Sequence, residues 1–312
     1  KNAASREGGV GKTQLIRALL GEPFRQGGSK TPGIDIRPVE LEHPSEEAVT
    51  MRLNAWDFGG QEIYHATHQF FLTERSLFLL VWNARHGWEQ GKLYYWLDTI
   101  QAKAPNSPVL IVAAHSDEHP PNLPILEIQR RYPQVLAHNE VSNLNGAGIR
   151  ELREKLREVA AGLPLMGEIM PTSWLKAANA VRALSARSIS PKRLFETMVQ
   201  EGVTGDSARI LAQWLHDQGE LLYFQGDQEL NDTVILEPEW VTSYIYRVLD
   251  NEAVIARSGV FRRDDMLEVW EELDASLQHH FIRLMERFDL SYRTLEDQDI
   301  SIVAECLSLN PP

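Results

Sequence analysis

REGGVGKTQ, residues 6–14, decides the reading of this chain. It ends as a phosphate-binding loop ends. Gly8, Gly9, Gly11, Lys12 and Thr13 supply most of the pattern G-x-x-x-x-G-K-[ST], with Arg6 standing where the first glycine belongs. The glycines permit backbone conformations and a close approach that a Cβ would block. Loop N–H groups and the N-terminus of a helix starting near Lys12 can then surround a polyphosphate. In such a loop the lysine reaches the β- and γ-phosphates and the threonine hydroxyl holds Mg2+. The competing reading is a glycine turn before an ordinary helix, so the neighbours must decide.

They favour the phosphate loop. WDFGGQE (residues 56–62) follows a strand pattern and supplies D-x-x-G. Asp57, at the strand's end, can hold Mg2+ through water; Gly60 can offer its N–H to a γ-phosphate; Gln61 is placed to orient an attacking water. Between the two motifs, KTPGID carries Thr31, a hydroxyl able to complete the magnesium shell when a γ-phosphate is present. Further on, the apolar run VLIVAA leads into His115-Ser116-Asp117. Asp117 can accept from guanine N1 and N2, and adenine offers no matching donor pair. Ala114 stands where an amide or hydroxyl usually braces this loop, and His115 stands where a lysine stem usually covers the base; an imidazole can stack there instead. VSNLNG then offers Ser142 and Asn143 for a backbone contact to guanine O6.

Strand and helix patterns alternate through the first half. QLIRALLG gathers Leu15, Ile16, Leu19 and Leu20 on one face with Gly21 as a stop. Residues 25–34 read as a loop, and VTMRLNAWDF alternates as a strand. SLFLLVWNA and SPVLIVAAH are near-continuous apolar runs, as expected of parallel strands covered on both faces. GKLYYWLDTIQAKA and EIQRRYPQVL read as helices, VS as a short strand end, and GIRELREKLREVAAGL as a closing amphipathic helix. The expectation is a doubly wound α/β sheet. Only KNAAS precedes the phosphate loop, so the first strand is expected to be missing and the chain to be a fragment cut just upstream. In the strand order expected of a nucleotide-binding sheet that strand is central, between those ending near Asp57 and Ala84, and its absence exposes two edges.

GLPLMGEIMPTSW (residues 162–174) marks a boundary, with domains expected over 1–165 and 170–312. Helices are expected over 172–186, 191–201 and 204–218. Two strands around a polar turn follow in GELLYFQGDQELNDTVIL, then a helix in EPEWVTSYIYRVLD. Helix, helix, hairpin is a winged-helix pattern, and a second unit starts at SGVFRRDDMLEVW. ELLYFQG also resembles the cleavage site of a viral protease used to remove tags.

Charge is unevenly spread. The net −13 divides into 18 Lys and Arg against 20 Asp and Glu over residues 1–169, a balance of −2, and 13 against 24 over 170–312, a balance of −11. An acidic second half argues against a nucleic-acid or anionic-membrane surface there. The candidate recognition helix GDSARILAQWLHDQG has one arginine and two aspartates, poor chemistry for phosphates. Apolar runs fall short of the ~18 residues of a membrane span. The single cysteine, Cys306, fits a reducing cytoplasm. His65 and His68 form a conceivable metal pair without an evident third ligand, and adjacent His279 and His280 point apart on a helix.

With these motifs in hand, the chain resembles the Roco family, of bacterial type: a Ras-like Roc GTPase domain joined to the first half of a COR domain. DFGGQEIYHATHQFFLTERSLFLLVW is similar to Roc, where H-x-D also occurs for N-K-x-D. GELLYFQGDQELNDTVILEPEWVTSYIYRVLDN looks like the first half of COR. The resemblance implies GTP/GDP as ligand, Mg2+ as cofactor, and a slowly hydrolysing switch in a larger protein. Lys12, Thr31 and Gln61 would serve catalysis, and COR would relay nucleotide state and support dimerisation. It implies leucine-rich repeats upstream, a second COR half downstream on which dimerisation largely depends, and a homodimeric parent, with a monomer as the alternative for this piece. Arg75, Arg85 and Lys103 are cations that could assist catalysis. The alternative is a nucleotide-binding interaction module with little or no hydrolysis.

Overall fold

The computed structural model describes residues 10–27, 34–46, 48–59, 72, 75–89, 92–164, 166–167 and 169–307. The chain divides between residues 168 and 169 into two compact units.

The first unit is built on strand β4 (Val109–Ala114), whose six residues VLIVAA are all buried. Successive side chains of a strand face opposite ways. Leu110, Val112 and Ala114 therefore enter a core with Leu15 and Leu19 of helix α1 (Lys12–Leu19) and with Leu152, Leu156 and Ala160 of helix α4 (Ile149–Ala161). Val109, Ile111 and Ala113 enter another with Leu93, Leu97 and Ile100 of helix α2 (Leu93–Lys103) and Ile128 of helix α3 (Ile125–Arg131). A sheet with helices on both faces explains why these strands read as unbroken apolar runs.

β4 pairs in parallel with β3 (Phe78–Asn83) on one side and β5 (Val135–Val141) on the other. β1 (Ile34–Glu42) and β2 (Thr50–Phe58) form a separate antiparallel pair, in register from Ile34–Phe58 to Glu42–Thr50. Among the described residues no ladder joins β2 to β3; the two sheets share a core instead, through Val39, Leu41 and Met51 packed with Leu110 and Val112. The break falls between the strands that end near Asp57 and Ala84.

Two local expectations change. The helix in EIQRRYPQVL stops at Arg131, and Val135 already belongs to β5. Tyr132-Pro133 ends it, because the residue before a proline is pushed out of helical geometry. Ile34, the last residue of the expected loop, instead opens a strand, since IDIRPVELE pairs along its whole length with β2.

The second unit repeats one topology. Helix α5 (Thr172–Arg182), the two-residue strand β6 (Ser188–Ile189), helices α6 (Pro191–Gln200) and α7 (Gly205–Asp217), then β7 (Val234–Ile235) form a winged helix. Its start signals are local: Ser190 caps α6 and Pro191 occupies the first turn. The expected hairpin is reduced to one bridge, Leu222 to Ile235, beside the β6–β7 pair. Helix α8 (Pro238–Leu249), helix α9 (Glu252–Ala256), β8 (Val260–Arg262), α10 (Arg263–Val269), α11 (Ala275–Arg287), β9 (Ser291–Arg293) and β10 (Ile300–Val303) follow. In both units the last strand lies between the first and the middle one, giving β8-β10-β9 in the second. Trp240, Tyr244, Trp270 and Phe281 pack edge to face at 5.3–6.0 Å, which makes the half-buried Trp240 a packing residue.

The protease-like segment lies inside this fold. Leu221, Leu222, Tyr223 and Phe224 are buried, Leu222 is bridged to Ile235, and Glu220 accepts two hydrogen bonds from Arg182 at 2.7 Å. A protease must hold such a segment extended in its cleft. The native chain is therefore expected to resist the viral protease that the sequence attracts and to be cut after Gln225 only in denaturant; gel analysis of digests across a urea series checks this.

Candidate functional site

Three strand ends converge on the N-terminus of α1. In open α/β sheets the carboxyl ends of the strands are where ligands bind. Asp57 lies at the end of β2, His115 follows β4, and Ser142 follows β5.

Gly11 introduces α1 with φ 95 and ψ 12, a left-handed conformation that side chains adopt at a cost. Its carbonyl accepts the first helical hydrogen bond from Leu15 N–H at 2.8 Å and a second from Asn143 Nδ2 at 3.0 Å. No acidic residue occupies the first turn of α1, so the positive end of the helix remains suited to an anion. Lys12 and Thr13 open the helix.

Thr13 Oγ1 donates to Asp57 Oδ2 at 2.5 Å, across 44 residues of sequence, and Asp57 is only 3% exposed. A hydroxyl beside a buried carboxylate is the oxygen donor set a hard dication prefers. These two residues fit Mg2+: the hydroxyl can turn a lone pair outward while the carboxylate acts through a coordinated water.

The base loop is held by a network centred on Arg85. His115 has φ 61, which turns the chain sharply after β4. Arg85 Nη2 lies 3.1 Å from His115 Nε2, and Arg85 Nη1 lies 3.3 Å from Glu118 Oε2. A guanidinium can only donate, so in this contact Nε2 is the acceptor, while Nδ1 faces Glu118 Oε1 at 3.5 Å. Asn83 Oδ1 accepts from the Arg85 backbone N–H at 3.0 Å and fixes the arginine in turn. A hydrogen bond from the Ser142 hydroxyl holds the Asp117 carboxyl below its ordinary pKa, and the charge of Arg85 adds to this while desolvation opposes it. Asp117 is therefore an ionised, exposed acceptor. The Ser142 loop is closed by Ser142 N–H to Ala147 O and Gly146 N–H to Ser142 O, both 2.9 Å. Gly148, at φ 73, completes the turn, since a Cβ there would lie 1.9 Å from Glu140 O.

The structure thus gathers Gly11, Lys12, Thr13 and Asp57 at one end, and His115, Asp117, Ser142 and Asn143 at the other, with Asn143 touching both. Gly8, Gly9, Thr31, Gly60 and Gln61 lie outside the described residues, as do Arg6, His65 and His68. Of the cations weighed for catalysis, Arg85 is committed to the base loop. Sequence reasoning did not foresee Glu118 as its partner, although the two charges flank His115 in the contact and a carboxylate directly after Asp117 was visible. Among the described residues no group of three or more His, Cys, Asp or Glu could hold a metal ion.

The face of α11 that carries its cations is covered from within the same unit: Arg283 pairs with Glu229 at 2.9 Å, His280 Nδ1 lies 3.4 Å from Asp232, and Arg287 pairs closely with Asp227. His280 is buried and His279 exposed, so the adjacent histidines do point apart.

Comparison with known proteins gives two family matches. Residues 7–117 match the model described as "Ras of Complex, Roc, domain of DAPkinase", and residues 171–307 that described as "C-terminal of Roc, COR-A domain". A solved structure of Methanosarcina barkeri Roco2 RocCORdC bound to GDP is similar, with TM-score 0.85 and 31% identity over 96% of this chain and 93% of that one. The probable serine/threonine-protein kinase pats1 of Dictyostelium discoideum is 30% identical over 92% of this chain, which spans 10% of the kinase. A Roc-COR-CHAT protease of Runella zeae is 24% identical over 98% of this chain, which spans 35% of that protein.

Gly11 offers a direct check of the geometry. Gly11→Ala is expected to lower stability by about 1–2 kcal/mol from its positive φ alone. It should also displace Asn143, whose Nδ2 would lie 2.8 Å from the new Cβ. Urea denaturation with and without guanine nucleotide measures both effects, and the nucleotide-dependent stabilisation should shrink most.

Proposed function

Because this chain belongs to the Roco family, as a Roc GTPase domain joined to COR-A, we propose that it binds GTP and GDP with Mg2+ and hydrolyses GTP slowly as the switch of a larger protein. The observation that carries this reading is the Thr13–Asp57 contact of 2.5 Å, which joins the phosphate loop to the D-x-x-G segment at a buried carboxylate. A neighbour of the same architecture was solved with GDP, which supports a guanine nucleotide as the ligand.

Each residue then has a task. Gly8, Gly9 and Gly11 let the loop backbone approach the phosphates. Lys12 places its ammonium against the β- and γ-phosphates, opposing the charge that develops on the leaving oxygen. Thr13, Thr31 and Asp57 would hold Mg2+, which would offset the negative charge of the phosphates. Gly60 offers its N–H to the γ-phosphate, and Gln61 orients the attacking water. Asp117, kept ionised by Ser142, accepts from guanine N1–H and N2–H, while His115 covers the base and the Ser142–Asn143 backbone meets O6. COR-A relays the nucleotide state, and the parent chain, with leucine-rich repeats before it and a further COR half after it, works as a homodimer.

Turnover should be slow, on the order of 10⁻⁴ to 10⁻² s⁻¹, because Gln61 positions water without a committed arginine. Titration with fluorescent GTP, GDP and ATP, with and without Mg2+, tests the assignment. Guanine nucleotides should win, and Lys12→Ala should lose the Mg-nucleotide complex; unchanged affinity in that variant would refute the site. Binding without turnover in the dimeric parent would instead make the chain a nucleotide-gated interaction module.

Base selection has its own test. In Asp117→Asn the side chain can donate where the carboxylate only accepts, so it suits xanthine, whose O2 accepts, better than guanine. A competition assay should show guanine nucleotides losing more than 10-fold and xanthine nucleotides gaining, an order of magnitude set by hydrogen-bond discrimination.

A further inference from the structure

We infer that Asn143 is a positioning residue: its side chain braces the phosphate loop against the base-binding loops, and Ala114 is small to make room for it. This deepens the nucleotide reading above and rests on it for its functional consequence, but the brace itself is visible in the packing.

The Gly11 carbonyl uses both acceptor directions, one for Leu15 N–H at 2.8 Å inside α1 and one for Asn143 Nδ2 at 3.0 Å. The second bond crosses 132 residues of sequence and is partly buried. It ties the residue that sets the loop's left-handed exit to a loop already closed on itself through Ser142, Ala147 and Gly146. A closed loop on one side and a glycine in the left-handed region on the other make the amide a spacer of defined length.

Ala114 completes the arrangement. A Cβ built on Gly11 would lie 2.8 Å from Asn143 Nδ2, 3.6 Å from Ala114 Cβ and 3.7 Å from His115 Nε2. Position 114 is fully buried at the end of β4 and faces the α1 side of the sheet. A larger side chain there would contest the space the Asn143 amide occupies. An amide at 114 could, conversely, reach toward the same carbonyl if Asn143 were shortened. The two positions are therefore coupled: one amide fits between β4 and Gly11, and in this chain position 143 supplies it.

The brace should matter most for nucleotide retention. Without it the Gly11 carbonyl loses a partner in a partly buried place, and the exit of the loop is free to rotate away from the phosphates. The dissociation rate of fluorescent GDP and GTP in Mg2+ is measured for the wild type, Asn143→Ala, Asn143→Asp, Ala114→Asn and the double variant Ala114→Asn/Asn143→Ala. Asn143→Ala and Asn143→Asp should speed release of both nucleotides by roughly 10-fold, the scale of one partly buried hydrogen bond and its unsatisfied partner. The preference for GDP over IDP, set by Asp117, should stay as in the wild type. Ala114→Asn alone should also release faster, and the double variant should recover most of the loss, which a purely structural role for Asn143 does not predict. An unchanged rate in Asn143→Ala, a loss confined to the GDP-to-IDP ratio, or a double variant no better than its parts would overturn the inference. Amide hydrogen exchange of the peptide covering residues 11–20 without nucleotide separates this from failure of the nucleotide reading. Exchange should quicken in Asn143→Ala and return in the double variant even if the wild type bound no guanine nucleotide, and unaltered exchange would count against the brace.

Discussion

Strand β4 is buried along all six of its residues, and its pleat divides them between two helical layers. That alternation leaves no freedom of register, since a shift by one residue would exchange every contact on both faces. It also dictates what stands at the strand's end. Ala114 falls on the α1 face beneath Gly11, and His115 must leave the sheet through a left-handed turn at φ 61. The His115 loop and the N-terminus of α1 are neighbours because β4 delivers one directly under the other.

The charges follow the same economy of position. The buried Asp57 accepts from the Thr13 hydroxyl, and together they form an oxygen donor pair of the kind a hard dication prefers. Arg85 stays near the base loop, with Glu118 as its ion-pair partner. In the second unit several carboxylates are consumed internally, by Arg182, Arg283, Arg287 and Arg293. In the second winged-helix topology the cations Arg283 and Arg287 of α11 meet Glu229 and Asp227. Such exposed pairs add little stability singly; clustered on one face of α11, they fix its partner.

Much of this was legible in the sequence because the signals are local. Continuous apolar runs give covered parallel strands, and Ser190-Pro191 announces a helix start. The motif spacing alone placed Thr13 and Asp57 in one site. What escaped was decided elsewhere in space. β1 has no signal of its own beyond pairing with β2, and Pro38 within it argues against a strand until one sees it at an edge. The helix over EIQRRYPQVL ran too long because apolar periodicity continued past Tyr132-Pro133 into β5. The hairpin of the first winged helix shrank to a bridge since its Leu-Leu-Tyr-Phe run packs into the core instead of extending a ladder. Asn143 looked like a substitution in the base loop; that its amide points at Gly11 depends on a turn no pattern encodes.

Helix α1 shows how these pieces depend on each other. It has eight residues, too few to be stable alone in water. Its first carbonyl neighbour, Gly11 O, is held by Asn143, and its last residue, Leu19, offers its carbonyl to Arg153 Nη1 at 2.5 Å. Arg153 also donates to Glu40 O at 2.8 Å, and Arg157, one turn further along α4, donates to Glu42 O at 2.9 Å. Residues 143–157 therefore grip α1 at both ends and the β1–β2 pair at the end away from Asp57. Both partners of the Thr13–Asp57 contact, one on α1 and one on β2, are fixed from the same short stretch. The geometry around Thr13 and Asp57 is thus held from the loop and helix that follow β5.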